Sequence, residues 1–303
     1  MSAEHATPSR VLIGRITDAL GFQEMAAPDY VPAVSDLALT SAVLVLLGES
    51  PPEAGLPGRE PCLVFNKRSR AVRQPGDLCF AGGGMARALD GLFARLVHLP
   101  CGPLGRWPHR RRWARENGLI WRWVALYFAT ALREAFEEMR LNPLRVAFLG
   151  PLLPQRLVLF RRILYPMAAW LRGRPRFRPN WEVERIVWIP LSALLDPRNY
   201  VHYRVVTPSG AEKRVRDVPA LRFRAPAGGQ EILWGVSFRI TLAFLKSCFS
   251  FTPPPLEELP RIEGRLPEDY LTGGLERTPE AHPTVLSRRD GGESAAGGER
   301  GGF

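Results

Sequence analysis

The sequence predicts an α/β fold. Short apolar runs rich in β-branched residues, such as residues 37–47 and 186–189, read as strands. Two longer stretches, residues 130–141 and 232–249, carry apolar residues at helical spacing. Both kinds occur in one chain of 303 residues, 46% of them hydrophobic. That is long enough to bury a substantial core, as one elaborated domain or one domain with a small accessory.

Taken in order, residues 1–36 are mixed, with a short helix over 8–20 and a turn over 28–32. Residues 37–47 form a strand through Val43 and Val45. A Pro/Gly-rich loop follows over 49–61. Residues 62–66 are a second short strand, antiparallel to the first. Residues 66–84 read NKRSRAVRQPGDLCFAGGG. Lys67, Arg68, Arg70 and Arg73 make either a solvated basic loop or an anion-binding edge. A brief strand over 78–80 leads straight into Gly82, Gly83 and Gly84. Glycines there can adopt positive φ and let a ligand approach the backbone. The run lacks the lysine and hydroxyl of a P-loop and the spacing of a dinucleotide fingerprint.

Residues 90–128 interleave Trp107, Trp113, Trp121 and Trp123 with Arg106, Arg110, Arg111, Arg112, Arg115 and Arg122. A short helix is expected over 89–99. A second begins near Arg111 and runs on toward residue 130. Three readings compete: a cover for the core or an oligomer interface, an aromatic and basic site for an anionic ligand, and a membrane-surface segment.

The stretch TALREAFEEMRL, residues 130–141, has Leu132, Phe136 and Met139 on its apolar side. Glu134, Glu137 and Glu138 stand three and four apart, on one helical face. Packed like charges suit either a wet surface or a hard cation bound between them. Asn142-Pro143 ends the helix. Residues 145–149 and 157–171 have strand character, which Pro166 is expected to interrupt. A basic loop spans 173–179. Glu182 and Glu184 precede the apolar strand at 186–189, and helical turns follow over 191–195. Residues 200–206 and 212–218 suggest a hairpin. A helix should begin near Trp234, and turns or linker follow from residue 253. From residue 272 the chain is rich in Gly, Ser, Glu and Arg and reads as disordered.

Lys+Arg 41 against Asp+Glu 30 gives a net charge of +11. This favours polyanions, phosphorylated ligands or anionic surfaces. A G+C-rich genome would enrich arginine as well, so the charge is a weak guide. Cys62, Cys79, Cys101 and Cys248 have no paired spacing, so neither a zinc site nor a disulfide framework is indicated. The start lacks a signal-peptide pattern and no apolar run reaches membrane-span length. A cytoplasmic location is the expectation.

Together the glycines and the acidic helix resemble the signature of the Nudix hydrolases. Gly84 is followed, after five residues, by Asp90. Arg133-Glu134 match the Arg-Glu pair, Ala135 the apolar position, Glu137-Glu138 the Glu-Glu pair and Leu141 the last apolar position. Residues 66–83, 181–200 and 232–245 further resemble the branch that cleaves coenzyme A and related diphosphates. There are three departures. Asp90 and Arg133 are separated by the Trp/Arg segment, an insertion inside the signature. Arg140 stands where the closing glycine is usual, so the helix end is expected to be made through Asn142. The branch's histidine and its Gly-Gln-Val-x-Phe-Pro-Gly-Gly run are replaced by Arg73-Gln74-Pro75 and the run from Gly76 to Gly83.

The resemblance implies an α/β/α sandwich with a mixed sheet, a helical insertion and a flexible C-terminal tail. It implies residues 1–36 as an extension, 37–252 as the hydrolase domain with the insertion at 91–128, and 253–303 as linker and tail. The implied reaction is hydrolysis of a small-molecule nucleoside diphosphate derivative, coenzyme A or a relative favoured, with Mg2+ or Mn2+. Glu134, Glu137 and Glu138 are the implied metal ligands, Glu138 foremost, and Arg133 orients a carboxylate. Gly82, Gly83 and Gly84 shape the backbone around metal and diphosphate. Lys67, Arg68 and Arg70 would meet phosphate. Glu182 is a candidate general base or extra ligand, or else a solvent-facing loop acid. The insertion is expected to displace Asp90 from the metal. A homodimer is possible. The rival is a non-catalytic module on the same scaffold, binding RNA, protein or a membrane surface through its basic insertion.

Overall fold

The computed structural model describes residues 8–24, 27–32, 38–56, 59–157, 162–173, 176–209, 212–225, 229–267 and 270. The expected flexible tail from residue 272 lies outside them.

The centre of the molecule is strand β1, Thr40–Glu49. Val43, Val45 and Leu47 enter one core, whereas Ala42, Leu44 and Leu46 enter the other. A strand buried on both faces must be apolar throughout, and that is how this run reads in the sequence. Before it come helices α1 (Pro8–Gly21) and α2 (Ala27–Tyr30). After it come β2 (Pro61–Arg68), β3 (Leu78–Cys79) and β4 (Ala81–Gly84). Both β2 and β4 pair antiparallel with β1, β2 over Leu46 to Glu49 and β4 over Ser41 to Leu44. The glycines are therefore strand, and none of the three has positive φ.

The rest of the main sheet comes from β5 (Val146–Pro151), β6 (Gln155–Leu157), β7 (Arg162–Leu171) and β8 (Val183–Pro190). β7 lies parallel to β1, and β8 lies antiparallel to β2. Pro166 does not interrupt β7, which corrects the sequence expectation. It pairs with Val43 on one edge. On the other edge, pairing passes from β6 at Leu164 to β5 at Met167. Proline thus sits at a handover between partners, where a missing N–H costs least. Its carbonyl accepts from the Leu152 amide at 2.9 Å.

Helix α3 (Arg87–Val97), α4 (Arg110–Glu116) and α5 (Gly118–Met139) cover one face of this sheet. The helix expected to run on from Arg111 breaks at Asn117 (φ −133°, ψ 45°). Trp107 and Trp113 are at most 2% exposed. Their indole N–H groups donate to Leu149 O at 3.0 Å and Gly21 O at 2.9 Å. Trp107 also stacks on Trp121. The insertion is therefore a core cover. Trp107 and Trp113 are not open stacking faces for a ligand, because their rings are buried and their polar edges are satisfied inside the protein.

The opposite face is covered by α1 and by α7 (Gly235–Phe249). Ile16 and Leu20 of α1 are fully buried there, so the expected N-terminal extension supplies core. The result is an α/β/α sandwich around a mixed sheet. After the short α6 (Leu191–Leu194) come β9 (Tyr200–Ser209), β10 (Glu212–Arg224) and β11 (Gln230–Leu233). They form a second sheet, which β12 (Arg261–Arg265) extends by lying parallel to β9. β12 falls in the stretch expected as linker. Ile262 and Leu266 pack there beside Val201, Tyr203 and Val205. No helix among the described residues is long and apolar enough to cross a membrane.

Candidate active site

The second half of α5 lies against β4 and β1 runs beside it, and glycine permits both close approaches. A Cβ on Gly82 would stand 2.3 Å from Ala42 O, and one on Gly83 would stand 2.5 Å from the Glu134 carboxyl. These glycines serve close approach, not unusual φ.

Arg133 is the hub. It is 8% exposed, and burial works against its charge. Asp90, Glu134 and Glu137 more than offset that and hold it firmly protonated. Its Nε donates to Asp90 Oδ1 at 2.7 Å, Nη2 to Gly84 O at 2.9 Å, and Nη1 to both Glu137 oxygens at 3.2 Å. Nη2 also lies 2.9 Å from Glu134 Oε1. Asp90 is fully buried, with Oδ2 accepting from Thr130 Oγ1 at 2.8 Å and from the Ala86 amide at 2.7 Å. Asp90 thus returns to the helix across the insertion. What it meets there is the arginine.

Glu138 has a different environment. Oε2 accepts from Asn66 Nδ2 at 2.6 Å and Oε1 from the Gly82 amide at 3.2 Å. Burial pushes its carboxyl up to about 8, against those hydrogen bonds and helped by the charges of Glu134 and Glu182. Glu134 is also raised, chiefly by burial, with Arg133 pulling the other way. Glu137 is half-exposed.

Glu138, Glu182, Asn66, Gly82 and Arg68 line a cavity of about 430 Å³. Its far wall carries Asp77, Trp234 and Tyr270. Trp234 Nε1 donates to Asp77 Oδ1 at 3.0 Å, and the Tyr270 hydroxyl donates to Oδ2. Burial raises Asp77 to about 6, although both hydrogen bonds and Arg68 oppose it. Tyr270 is buried, and its carbonyl accepts from the Gln74 amide at 2.7 Å.

Most sequence candidates meet here, but not all. Lys67 turns to Glu231 at 3.3 Å and Glu184 at 3.8 Å, outside the cavity lining. Its ammonium group is paired with carboxylates of the protein. Arg70 is exposed and also outside the lining. Arg68 lines the cavity, with Nε donating to Arg73 O at 2.7 Å. The helix end differs as well. Arg140 itself takes the left-handed conformation (φ 57°), and Asn142 instead starts the next turn. Sequence reasoning missed Asn66, Asp77, Trp234 and Tyr270. Only Asn66 left a signal, as a polar residue ending an apolar strand.

The expected three-glutamate metal site divides into two parts. Among the described residues no three His, Cys, Asp or Glu side chains are grouped to hold an ion. Arg133 draws Glu137 and Glu134 to itself, while Glu138 faces Gly82 and Asn66. The donors beside Glu138 do suit a hard divalent cation. Glu138 is half-buried and among the described residues has no cationic partner at hydrogen-bond range, and Asn66 Oδ1 is buried with no hydrogen-bond partner. Glu134 lies one helical turn away. Glu137 fits only on leaving Arg133.

No family model and no curated protein matches the chain. Several solved structures do. A Nudix hydrolase from M. smegmatis, RenU, is 12% identical with a TM-score of 0.33, over 52% of this chain and 73% of that one. A Nudix hydrolase from Alicyclobacillus acidocaldarius is 14% identical with a TM-score of 0.32, over 54% and 83%. The Nudix domain of Shewanella oneidensis NrtR, complexed with ADP ribose, is 13% identical with a TM-score of 0.31, over 59% and 84%.

Proposed function

We propose that the chain hydrolyses a diphosphate linkage in a nucleoside diphosphate derivative, coenzyme A or a related compound favoured. One observation carries this reading. Asp90 and Arg133, 43 positions apart, bond at 2.7 Å, and the same guanidinium holds Gly84 O. The two halves of the interrupted signature therefore form one network, as a working signature requires.

Glu138, Glu134 and, once released from Arg133, Glu137 would hold Mg2+ or Mn2+. The ion would supply charge neutralisation for the diphosphate oxygens and a more acidic water. Arg133 positions Glu134 and β4 relative to one another. Asn66 and the Gly82 amide fix the direction of Glu138. Glu182 borders the same cavity and is the candidate base, while Arg68 offers a cation to phosphate. Trp234 and Tyr270 close the far wall around the remainder of the substrate.

The test is a product-resolved screen of coenzyme A, ADP-ribose, NADH and dinucleoside polyphosphates with magnesium and with manganese. Two phosphorylated products should appear only with metal. Glu138→Gln and Glu137→Gln should each lower the rate severely in a folded chain. Full activity in both would overturn the reading.

The exposed Arg106, Arg110, Arg111, Arg115 and Arg122 favour a second reading, a non-catalytic module that binds RNA, protein or a membrane surface through its insertion. Salt-sensitive polyanion binding without metal-dependent turnover would select it.

A further inference from the structure

We propose that a second pocket, of about 460 Å³ and lined by Arg140, Arg176, Arg178, Pro179 and Asn180, binds a phosphate group. This is a phosphate that the substrate carries outside its scissile diphosphate. The word substrate rests on the diphosphatase reading; the pocket does not.

Among the described residues the lining holds three guanidinium groups and no carboxylate. All three arginines are exposed, and among the described residues none of them forms an ion pair. Arg140 rests 5.2 Å over the Phe136 ring, which leaves its N–H groups free of any carboxylate. Like charges around one concavity repel, and a dianion relieves that repulsion. Planar guanidinium donors match phosphate oxygens in pairs.

The pocket lies at the C-terminus of α5, whose partial negative charge could account for nearby arginines without a ligand. The backbone reduces the weight of that account. The Arg178 amide donates to Met139 O at 3.0 Å and the Asn180 amide to Glu138 O at 2.7 Å, so those carbonyls already have partners. Arg140 also occupies a left-handed position (φ 57°), where glycine would be under less strain. An arginine there puts a guanidinium on the pocket at a conformational cost.

Location ties the two cavities together. Asn180 Oδ1 accepts from the Glu182 amide at 2.9 Å. Asn180 lines the arginine pocket and Glu182 the cavity of Glu138. Residues 180–182 are a shared wall, fastened to the turn of α5 that bears Glu138.

The experiment is calorimetry on the full chain, without divalent ions, using adenosine 3′,5′-bisphosphate, AMP and inorganic phosphate. The bisphosphate should bind at least about tenfold more tightly than AMP, as one added charge-assisted contact implies. The double variant Arg176→Gln, Arg178→Gln should abolish that preference and leave AMP binding unchanged. Equal affinity for the two nucleotides, binding of neither, or a preference that survives in the variant would overturn the proposal. Inorganic phosphate binding as tightly as the bisphosphate would overturn a substrate-borne group in favour of a free ion. A single-stranded oligonucleotide that binds more tightly than the bisphosphate and is lost in the same variant would overturn it in favour of a polynucleotide track. Because these are binding measurements, a chain with no hydrolase activity that still prefers the bisphosphate would count against the diphosphatase reading and for the pocket.

Discussion

Up to Ala129, α5 is packing. Ile120, Trp121, Val124, Ala125, Tyr127 and Phe128 are buried, and Tyr127 stacks on Tyr165 of β7 at 3.9 Å between ring centroids. From Thr130 onward the same helix carries the hydrogen-bonding and charged groups, with Arg133 tied to Asp90 and Glu138 turned to Gly82. No break separates the halves. The insertion therefore does not hang from the site; it runs straight into the helix that bears it. The comparison teaches that stability and chemistry are divided along one rod, and substitutions at its two ends should separate them.

The largest effect should come from crossing that divide. Phe128 is fully buried against Phe148, and Phe128→Ala should cost about 4 kcal/mol in urea unfolding. The rate per folded molecule should be unchanged. Glu138→Gln should do the reverse, losing turnover with little loss of stability. If both variants lost rate and stability together, the halves would not be separable.

Next is the contact between the helix and the glycines. Gly82→Ala puts a methyl 2.3 Å from the Ala42 carbonyl, which is backbone and cannot swing aside. It should cost about 2 kcal/mol or more as β4 is pushed from β1, and the amide bond to Glu138 should go with it. Gly83→Ala meets the Glu134 side chain instead, which can move. Its stability cost should be smaller and its effect should fall on metal affinity. Thermal midpoints with and without manganese would show whether the two alanines differ in this way.

These contrasts mark what the sequence disclosed. Apolar periodicity located β1, β2, the β9–β10 hairpin, α5 and α7, because burial leaves its period in the residues. The site was legible through spacing on one helix, as with Arg133, Glu134, Glu137 and Glu138. It was not legible where partners come from distant strands. Nothing local in Lys67 says that Glu231 will claim it, since that ion pair joins positions 164 apart. Tyr270 shows the same limit from the other side. It lies in a stretch that composition reads as linker, yet its hydroxyl meets Asp77. The role of the three glycines was not legible either, because glycine permits both positive φ and close approach, and only the neighbours decide which is used.

Asp77 allows a test at the far wall that leaves α5 untouched. Its carboxyl is raised by burial from 3.8 to about 6. The folded state therefore holds a proton that the unfolded state releases. This contribution to stability is complete below about pH 4 and is lost as pH rises through about 6, to the extent of about 3 kcal/mol. Asp77→Asn keeps an acceptor for Trp234 Nε1 and cannot ionise. Urea midpoints between pH 4 and 7 should fall less steeply in this variant than in the parent. Parallel curves would mean that the aromatic wall does not enclose the carboxyl as described.

The smallest effect compares the end of α5 with the end of α7. Both helices close on a non-glycine residue in the left-handed region, Arg140 at φ 57° and Ser250 at φ 55°. In each, the capping residue's amide donates back to the last helical turn. Glycine would relieve the strain at either position, so Ser250→Gly and Arg140→Gly should each raise stability by about 1 kcal/mol. As far as the backbone goes, the two gains are equal. The surroundings do not, because Arg140 faces two further unpaired arginines and Ser250 does not. Removing a charge from that cluster should add to the gain at Arg140, and the excess should shrink as salt screens the repulsion. Equal gains at low and high ionic strength would show that the arginines around the pocket do not repel one another, and that α5 ends for the same reason α7 does.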